Sequence, residues 1–281
     1  RRDFTINGMF YDPLSGDLVD YVGGQRDLAA GVIRAIGDPA ARFAEDYLRL
    51  LRAVRFAARL NFAIEPETFF ALCAHAEGIA AISTERICVE LTLLLTEGGV
   101  VRGLQLLDES GLLQAVLPEV AAMRGVEQPP QFHPEGDVFT HPQNMLVHMD
   151  SDTEPMLSWA VLLHDIAKPS TQSHDPETGR IRFIGHDSVG AQMARRIMRR
   201  LRFPKRDIDT VVESIRHHMQ LWSALAMRKG TLRKMFQRSA FPLGLELHRL
   251  DCLGSGRSLE TFEFLKREYS EWKNCPELIK P

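Results

Sequence analysis

The distribution of apolar residues predicts a mainly α-helical protein with a small N-terminal β portion, an α+β chain by class. Three observations predict it. Short alternating runs bounded by Gly and Pro are confined to residues 1–37, and apolar residues recur at spacings of three and four from Leu48 onward. After Gln128-Pro129-Pro130-Gln131, the best linker in the chain, nearly everything reads as helix.

In order, Phe4-Thr5-Ile6-Asn7 alternates as a strand, Asp12-Pro13 and Ser15-Gly16 are turns, and Leu18–Val22 is a strand closed by Gly23-Gly24. A third strand covers Val32–Ile36. From Asp38-Pro39 the pattern turns helical, with Leu48, Leu51, Val54 and Ala58 as one stripe and Pro66 opening the next helix. Ser83-Thr84-Glu85-Arg86 reads as a capping start for Ile87–Leu95, and Val100–Leu107 stops at Gly111. Six helices follow, over Pro142–Met149, Met156–Ile166, Ser188–Leu201, Asp207–Met219, Leu243–Leu253 and Leu259–Trp272. Four segments result: 1–37, 38–127, 128–254 and 255–281.

With 281 residues, 44% apolar and 25% charged, the composition is that of a soluble globular protein of two or more modules. No run of 18 apolar residues appears, so no membrane segment is expected, and Arg1-Arg2 lacks the apolar stretch of an export signal. Cys73, Cys88, Cys252 and Cys275 form no CxxC, which fits a reducing cytoplasm. A net charge of −3 argues against a uniformly basic nucleic-acid binder. Residues 195–238 nevertheless hold 13 Lys/Arg against 3 Asp/Glu. Val189, Met193, Ile197 and Leu201 are the expected packing stripe of the first helix there, leaving Arg195, Arg196, Arg199 and Arg200 for solvent or a polyanion. The absent initiator Met and the uncapped last residues suggest a piece of a longer chain.

Two groups of residues point to chemistry. In Glu45-Asp46-Tyr47-Leu48-Arg49, Asp46 and Arg49 are spaced i, i+3, neighbours on one helix face. An exposed ion pair is one reading. The other is a base reader: cytosine and adenine each present an amino donor beside a ring-nitrogen acceptor, so a carboxylate and an arginine would pair with either. The second group begins at His164-Asp165, a vicinal pair after the apolar run Val161-Leu162-Leu163. Buried carboxylates need partners, and imidazole with carboxylate suits Fe, Mn, Ni, Co or Zn. His141, His186, His217-His218 and Asp251 complete a series whose members each have an ordinary reading as cap, helix-end or ion-pair residues.

The residues around the first group carry a resemblance. Arg1-Arg2-Asp3-Phe4-Thr5-Ile6-Asn7, Asp20 with Gly23-Gly24, Gly37-Asp38-Pro39, Arg42-Phe43, Glu45-Asp46, Arg49 and Arg52-Ala53, with Ser83-Thr84-Glu85-Arg86 beyond, resemble the class II tRNA nucleotidyltransferase/poly(A) polymerase family. The resemblance implies that residues 1–37 are part of a nucleotidyltransferase head and 38–127 a helical neck and body. It further implies that Arg2 and Asp3 contact the incoming nucleotide, that Glu45, Asp46 and Arg49 form its template, and that CTP, ATP and tRNA are substrates. The family's Mg2+-binding carboxylates precede the RRD motif and are absent from these 281 residues. The 281-residue polypeptide is therefore expected not to incorporate labelled CMP into tRNA by itself, and detectable incorporation would contradict this.

The ordered His, His-Asp, His, His-His, Asp series resembles the HD phosphohydrolase superfamily, implying an all-α domain over 128–254. By that resemblance His141, His164, Asp165 and Asp251 hold one metal, while His186, His217 and His218 hold a second that shares Asp165. Lys168 would steady a phosphate. Phosphomonoesters or 2′,3′-cyclic phosphates are the implied substrates. A poly(A) polymerase, or an HD domain that binds RNA or nucleotide without hydrolysis, remain alternatives, and the oligomeric state is open.

Overall fold

A computed structural model describes residues 2–129, 136–149 and 154–274. Pro130 and Gln131 of the expected linker lie outside them. Internal contacts divide the chain into two units, Arg1–Ala121 and Ala122–Pro281.

The first unit opens with a single 3-10 turn, Thr5–Asn7, where a strand was expected. The Asn7 side-chain carbonyl accepts the Phe4 amide at 3.0 Å, and the Thr5 hydroxyl donates to Asp27 at 2.8 Å. Such local side-chain bonds compete with a strand ladder. Only Phe4 retains one bridge, to Ala35. Strands β1 (Phe10–Tyr11) and β2 (Leu18–Val19) pair antiparallel, with Phe10 opposite Val19. Helix α1 (Gly24–Ala30) was not anticipated. Its N-terminal amides are collected by Asp20, whose carboxylate accepts Val22, Gly24 and Gln25, each at 3.0 Å. A Cβ on Gly24 would sit 2.3 Å from the Thr5 carbonyl oxygen, so only glycine permits this approach. Strand β3 (Val32–Ile33) follows, then α2 (Pro39–Glu45), capped by Asp38, and α3 (Leu48–Leu60). Leu48, Leu51, Val54 and Ala58 are all buried, as the stripe requires. Strand β4 (Ala63–Ile64) pairs parallel with β3. Helices α4 (Pro66–Ala74), α5 (Thr84–Thr96), α6 (Val100–Glu109), α7 (Leu112–Val116) and α8 (Pro118–Ala121) complete the unit. Ser83 occupies the N-cap of α5 but makes no side-chain capping bond, contrary to the expected capping box.

Among the described residues the second unit is helical apart from one hairpin and one isolated bridge. Gln128 does not behave as a linker residue: it is buried, its amide bonds the Gly136 carbonyl, and Glu127 bridges Asp137. Helices α9 (Thr140–Val147) and α10 (Pro155–Leu163) are followed by turns, then by α11 (Lys168–Thr171). Every residue of α10 from Leu157 to Leu163 is buried, as befits a central helix. Strands β5 (Gln172–His174) and β6 (Ile181–Phe183) form the hairpin, missed because β5 is polar and exposed. Helices α12 (His186–Arg200), α13 (Lys205–Leu221), α14 (Lys229–Phe236), α15 (Phe241–Gly254) and α16 (Glu260–Asn274) follow. The buried face of α12 runs through His186, Gly190, Ala191, Ala194, Ile197 and Met198. Val189 is exposed and Met193 half-buried, so the face is rotated from the expected stripe. The small residues, not the β-branched one, let α12 approach its neighbours. Arg196, Arg199 and Arg200 remain exposed, while Arg195 pairs with Asp209 at 2.9 Å. Among the described residues no helix is long and apolar enough to cross a membrane.

Candidate functional site

In the first unit, α2 and α3 are separated by Asp46, which has an extended backbone (φ −159°, ψ 102°). Asp46 and Arg49 therefore do not share a face of one continuous helix, as their spacing suggested. Aspartate favours the cap over the helix interior, and here its Oδ1 accepts the Leu48 amide at 3.1 Å. Its Oδ2 pairs with Arg86 at 2.7 Å. Burial resists ionisation of Asp46, but the Arg86 hydrogen bond, the Leu48 amide and the nearby Arg86 and Arg49 charges together outweigh it and the carboxyl is lowered. Arg49 instead turns to Asp3 (3.0 Å), Glu45 (2.9 Å) and the Arg42 carbonyl (2.6 Å). Arg42 also donates to the backbone carbonyl of Arg2, whose residue is otherwise exposed. Tyr47 lies against Gly78, where a Cβ would come within 2.3 Å of its ring. Arg2, Asp3, Glu45, Asp46 and Arg49 are thus gathered in one corner, joined by Arg42, Arg52 and Arg86, which spacing alone did not single out.

The second unit contains a buried imidazole and carboxylate cluster. Helix α10 ends at Leu163, and the tight turns that follow direct both His164 and Asp165 inward. This is why a vicinal pair can share one site. His141 near the start of α9, His186 opening α12, and His218 in α13 are also buried. Nδ1 of His164 donates to the Val161 carbonyl (2.8 Å), Nδ1 of His186 to Phe183 (2.7 Å) and Nδ1 of His218 to Ile215 (2.7 Å). That pattern fixes the tautomer in which Nε2 carries a lone pair. Those Nε2 atoms converge: His186 lies 3.3 Å from His218 and 3.5 Å from Asp165 Oδ1, and His164 lies 3.1 Å from Asp165 Oδ2. Lone pairs facing one another at 3.3 Å cannot bond each other. The separation matches the ~3.3 Å edge between nitrogens on a tetrahedral ion. Asp165 Oδ2 is 2.6 Å from the Lys168 ammonium, yet the angle makes no hydrogen bond, so this buried oxygen has none.

Two ligand groups meet within this cluster, His141/His164/Asp165 and Asp165/His186/His218, each with ligand atoms within 4.8 Å. Asp165 belongs to both. Asp251 joins through His141, Oδ1 to Nε2 at 3.1 Å. Burial disfavours the Asp165 carboxylate, but the adjoining His164 ring and the Lys168 ammonium hold it well below the usual range. Asp251 is lowered against its burial by the His141 hydrogen bond. Burial, with the neighbouring His164, pushes His218 down to about 4, keeping it a neutral donor at physiological pH. The residues fit a cation. Lys168, expected to steady a phosphate, also donates to Gln128 Oε1.

His217 does not belong to the cluster. One residue advances a helix by ~100°, so His217 leaves the face that carries His218 and lines a separate small cavity with Glu213 and Arg238. Its buried Nδ1 has no hydrogen-bond partner.

Buried neutral histidines set an acid limit. Burial also pushes His248 down to about 4. Both folded values lie below the unfolded ~6.5, so the stability is fully present above pH 6.5 and drains as pH falls toward 4. Metal-free protein is expected to lose a few kcal/mol between pH 7 and pH 4.5, read as the urea midpoint of tryptophan fluorescence. A flat midpoint across that range would contradict the burial argument.

Three family models match the chain: "Poly A polymerase head domain" over residues 1–34, "Probable RNA and SrmB-binding site of polymerase A" over 61–124, and "HD domain" over 143–247. The last includes His164, Asp165, His186 and His218 but stops short of His141 and Asp251. A Multifunctional CCA protein of Nitrosococcus oceani is 36% identical over 272 residues, covering 94% of this chain and 64% of the relative. That of Halorhodospira halophila is 39% identical over 259 residues (89% and 58%). The A-adding tRNA nucleotidyltransferase of Deinococcus radiodurans is 37% identical over 227 residues (78% and 51%). The chain thus spans between 51% and 64% of the length of these relatives. Its fold is similar to the Bacillus stearothermophilus CCA-adding enzyme in complex with CTP (TM-score 0.63, 23% identity, 96% of this chain and 58% of that one). It is also similar to a tRNA nucleotidyltransferase complexed with a primer tRNA and an incoming ATP analog (TM-score 0.60, 20% identity, 98% and 72%).

Proposed function

Because the chain belongs to the class II tRNA nucleotidyltransferase/poly(A) polymerase family and carries an HD domain, we propose that it serves tRNA 3′ ends through two separate chemistries. Residues 1–37 supply part of the head, 38–127 the neck and body, 128–254 the HD domain, and 255–281 a C-terminal helix and tail. In the first unit Glu45, Asp46 and Arg49 select cytosine and adenine during transfer of CMP and AMP from CTP and ATP, with Arg2 and Asp3 near the nucleotide. The Arg49–Asp3–Glu45 bonding supports this reading, since it holds the guanidinium before a base arrives.

The second unit is a metal-dependent phosphoesterase acting on phosphomonoesters or 2′,3′-cyclic phosphates. The observation that carries this is the convergence of histidine Nε2 lone pairs on Asp165, each fixed by an Nδ1–H bond to a carbonyl. His141, His164, Asp165, His186, His218 and Asp251 would hold the metal, a transition ion of the Fe, Mn, Ni, Co or Zn type. Bound there, such an ion supplies Lewis-acid polarisation of a phosphoryl oxygen and acidifies water. The chain's own residues orient and balance charge: the carbonyls lock the imidazoles, and Lys168 offsets Asp165 and faces the cleft. In the hydrolysis a water oxygen bonds to phosphorus, the ester P–O bond breaks, and the leaving alcohol takes up a proton from the water. Purified chain supplied with Mn2+, Ni2+ or Co2+ is expected to release phosphate from nucleoside monophosphates or open cyclic ends. No hydrolysis with any of the three would favour a binding module instead.

The exposed Arg196, Arg199 and Arg200 of α12 are assigned to the tRNA backbone. Three phosphate contacts predict a log–log salt slope of about −2.7 and a roughly fortyfold loss of affinity from 50 to 200 mM salt. Replacing all three by alanine should flatten that slope by about 2.7. Binding indifferent to salt would remove α12 from the tRNA interface.

A further inference from the structure

The cleft above the metal ligands is far larger than a phosphoryl group needs. It measures about 440 Å³, a size that accommodates a small-molecule ligand. Its inner end is polar, formed by His164, Asp165, Lys168, His186, His218 and Asp251. The outer end is different in kind. Ile184 is 74% exposed and Met219 44% exposed, and both face the cleft beside Trp222 and Arg257. Packing of the fold does not require these two side chains to be where they are. Trp222 is held edge-on by the buried His248 ring, 4.6 Å between centroids at 81°. The Arg257 guanidinium lies 4.4 Å over the Trp222 ring. The Arg257 amide is tied to the Cys252 carbonyl at 2.8 Å, which places the residue just past the end of α15, the helix that carries Asp251. An indole and a guanidinium held in this way form a planar cationic shelf of the sort on which nucleobases stack.

We propose that Trp222 and Arg257, rimmed by Met219 and Ile184, form the specificity-determining shelf of this cleft. The shelf accepts the base of a nucleotide whose phosphoester sits at the metal ligands, so the cleft prefers a nucleotide end over a phosphoester without a base. This rests on the phosphoesterase reading of the second unit. It adds to that reading the residues that select the organic part of the substrate.

The test compares 3′-AMP with glycerol 2-phosphate, which has an equivalent secondary ester and no base, in the full chain with Mn2+, Ni2+ or Co2+. In Trp222→Ala the ratio of kcat/KM for 3′-AMP to that for glycerol 2-phosphate is expected to fall about tenfold or more, on the scale of one lost stacking contact. Trp222→Phe, which keeps a ring, should recover most of it, and Arg257→Gln should lie between the two. Calorimetric titration with 3′-AMP gives a second reading independent of turnover. If no phosphoester is hydrolysed but 3′-AMP binds with a Trp222-dependent affinity, the shelf stands and the hydrolase reading falls. If hydrolysis proceeds and Trp222→Ala lowers both substrates alike, the shelf is overturned and Trp222 is structural. Absence of both hydrolysis and 3′-AMP binding overturns both readings.

Discussion

Asp165→Asn is expected to lower phosphoester hydrolysis by about a thousandfold or more, which corresponds to ~4 kcal/mol of transition-state stabilisation. Asp165 alone belongs to both ligand groups, so one substitution removes the anionic donor from each. Asparagine keeps the shape and removes the charge. The change also removes the charge that balances Lys168, which is 4% exposed and has Asp165 Oδ2 at 2.6 Å. Loss of the opposing charge of a buried ion pair costs up to about 3–5 kcal/mol, so the variant should melt lower as well as turn over more slowly. The two effects separate by metal. Wild-type protein should gain thermal stability with added Mn2+, Ni2+ or Co2+, and the variant should gain little. His217→Ala is the matching control, because His217 lines a different cavity, and it should keep both its metal response and its hydrolysis. An Asp165→Asn protein that still responds to metal like wild type would refute the role proposed for Asp165 in both ligand groups.

Most of the longer helical spans were legible in the sequence because apolar spacing follows from the helix itself, as the four buried residues of the α3 stripe illustrate, whereas α1, α7 and α14 were not read. That His141, His164, Asp165, His186 and His218 would gather in one buried cluster was legible too. Which member of His217-His218 faces inward was not, since both fit the series and only the rotation of α13 chooses. The Asp46–Arg49 spacing misled for a related reason. Spacing of i, i+3 implies neighbours only if the helix is continuous, and the capping preference of Asp46 breaks it. The strand read over Phe4–Asn7 failed because Asn7 satisfied the Phe4 amide locally. Trp222 and Arg257 left no sequence signal at all. They lie 35 residues apart, and only the packing of α13 against the end of α15 brings guanidinium over indole.

Glu90→Ala is expected to destabilise the first unit by about 3–5 kcal/mol, a loss typical of breaking a buried ion pair from one side. Glu90 is 5% and Arg55 6% exposed, and Arg55 Nε donates to Glu90 at 2.7 Å. Arg55 Nη1 also reaches Glu97 at 2.7 Å, so α3 is pinned to α5 at two points. Arg52 extends the chain of charges from Glu90 (3.5 Å) to Asp3 (2.7 Å), and Asp3 in turn holds Arg49. Loss of Glu90 therefore loosens the face that presents Arg49. Replacing both partners, as Arg55→Met with Glu90→Leu, should recover much of the stability because no charge is left buried alone. The unit can be followed separately. All three tryptophans, Trp159, Trp222 and Trp272, lie in the second unit, so fluorescence follows that unit while far-UV circular dichroism follows both. Glu90→Ala should bring an earlier dichroism transition, lower by roughly 10–20 °C, with little change in the fluorescence midpoint. If instead the single substitution costs less than about 1 kcal/mol, the pair behaves as a solvated one, and it cannot be what holds Arg52 and Asp3 in place for Arg49.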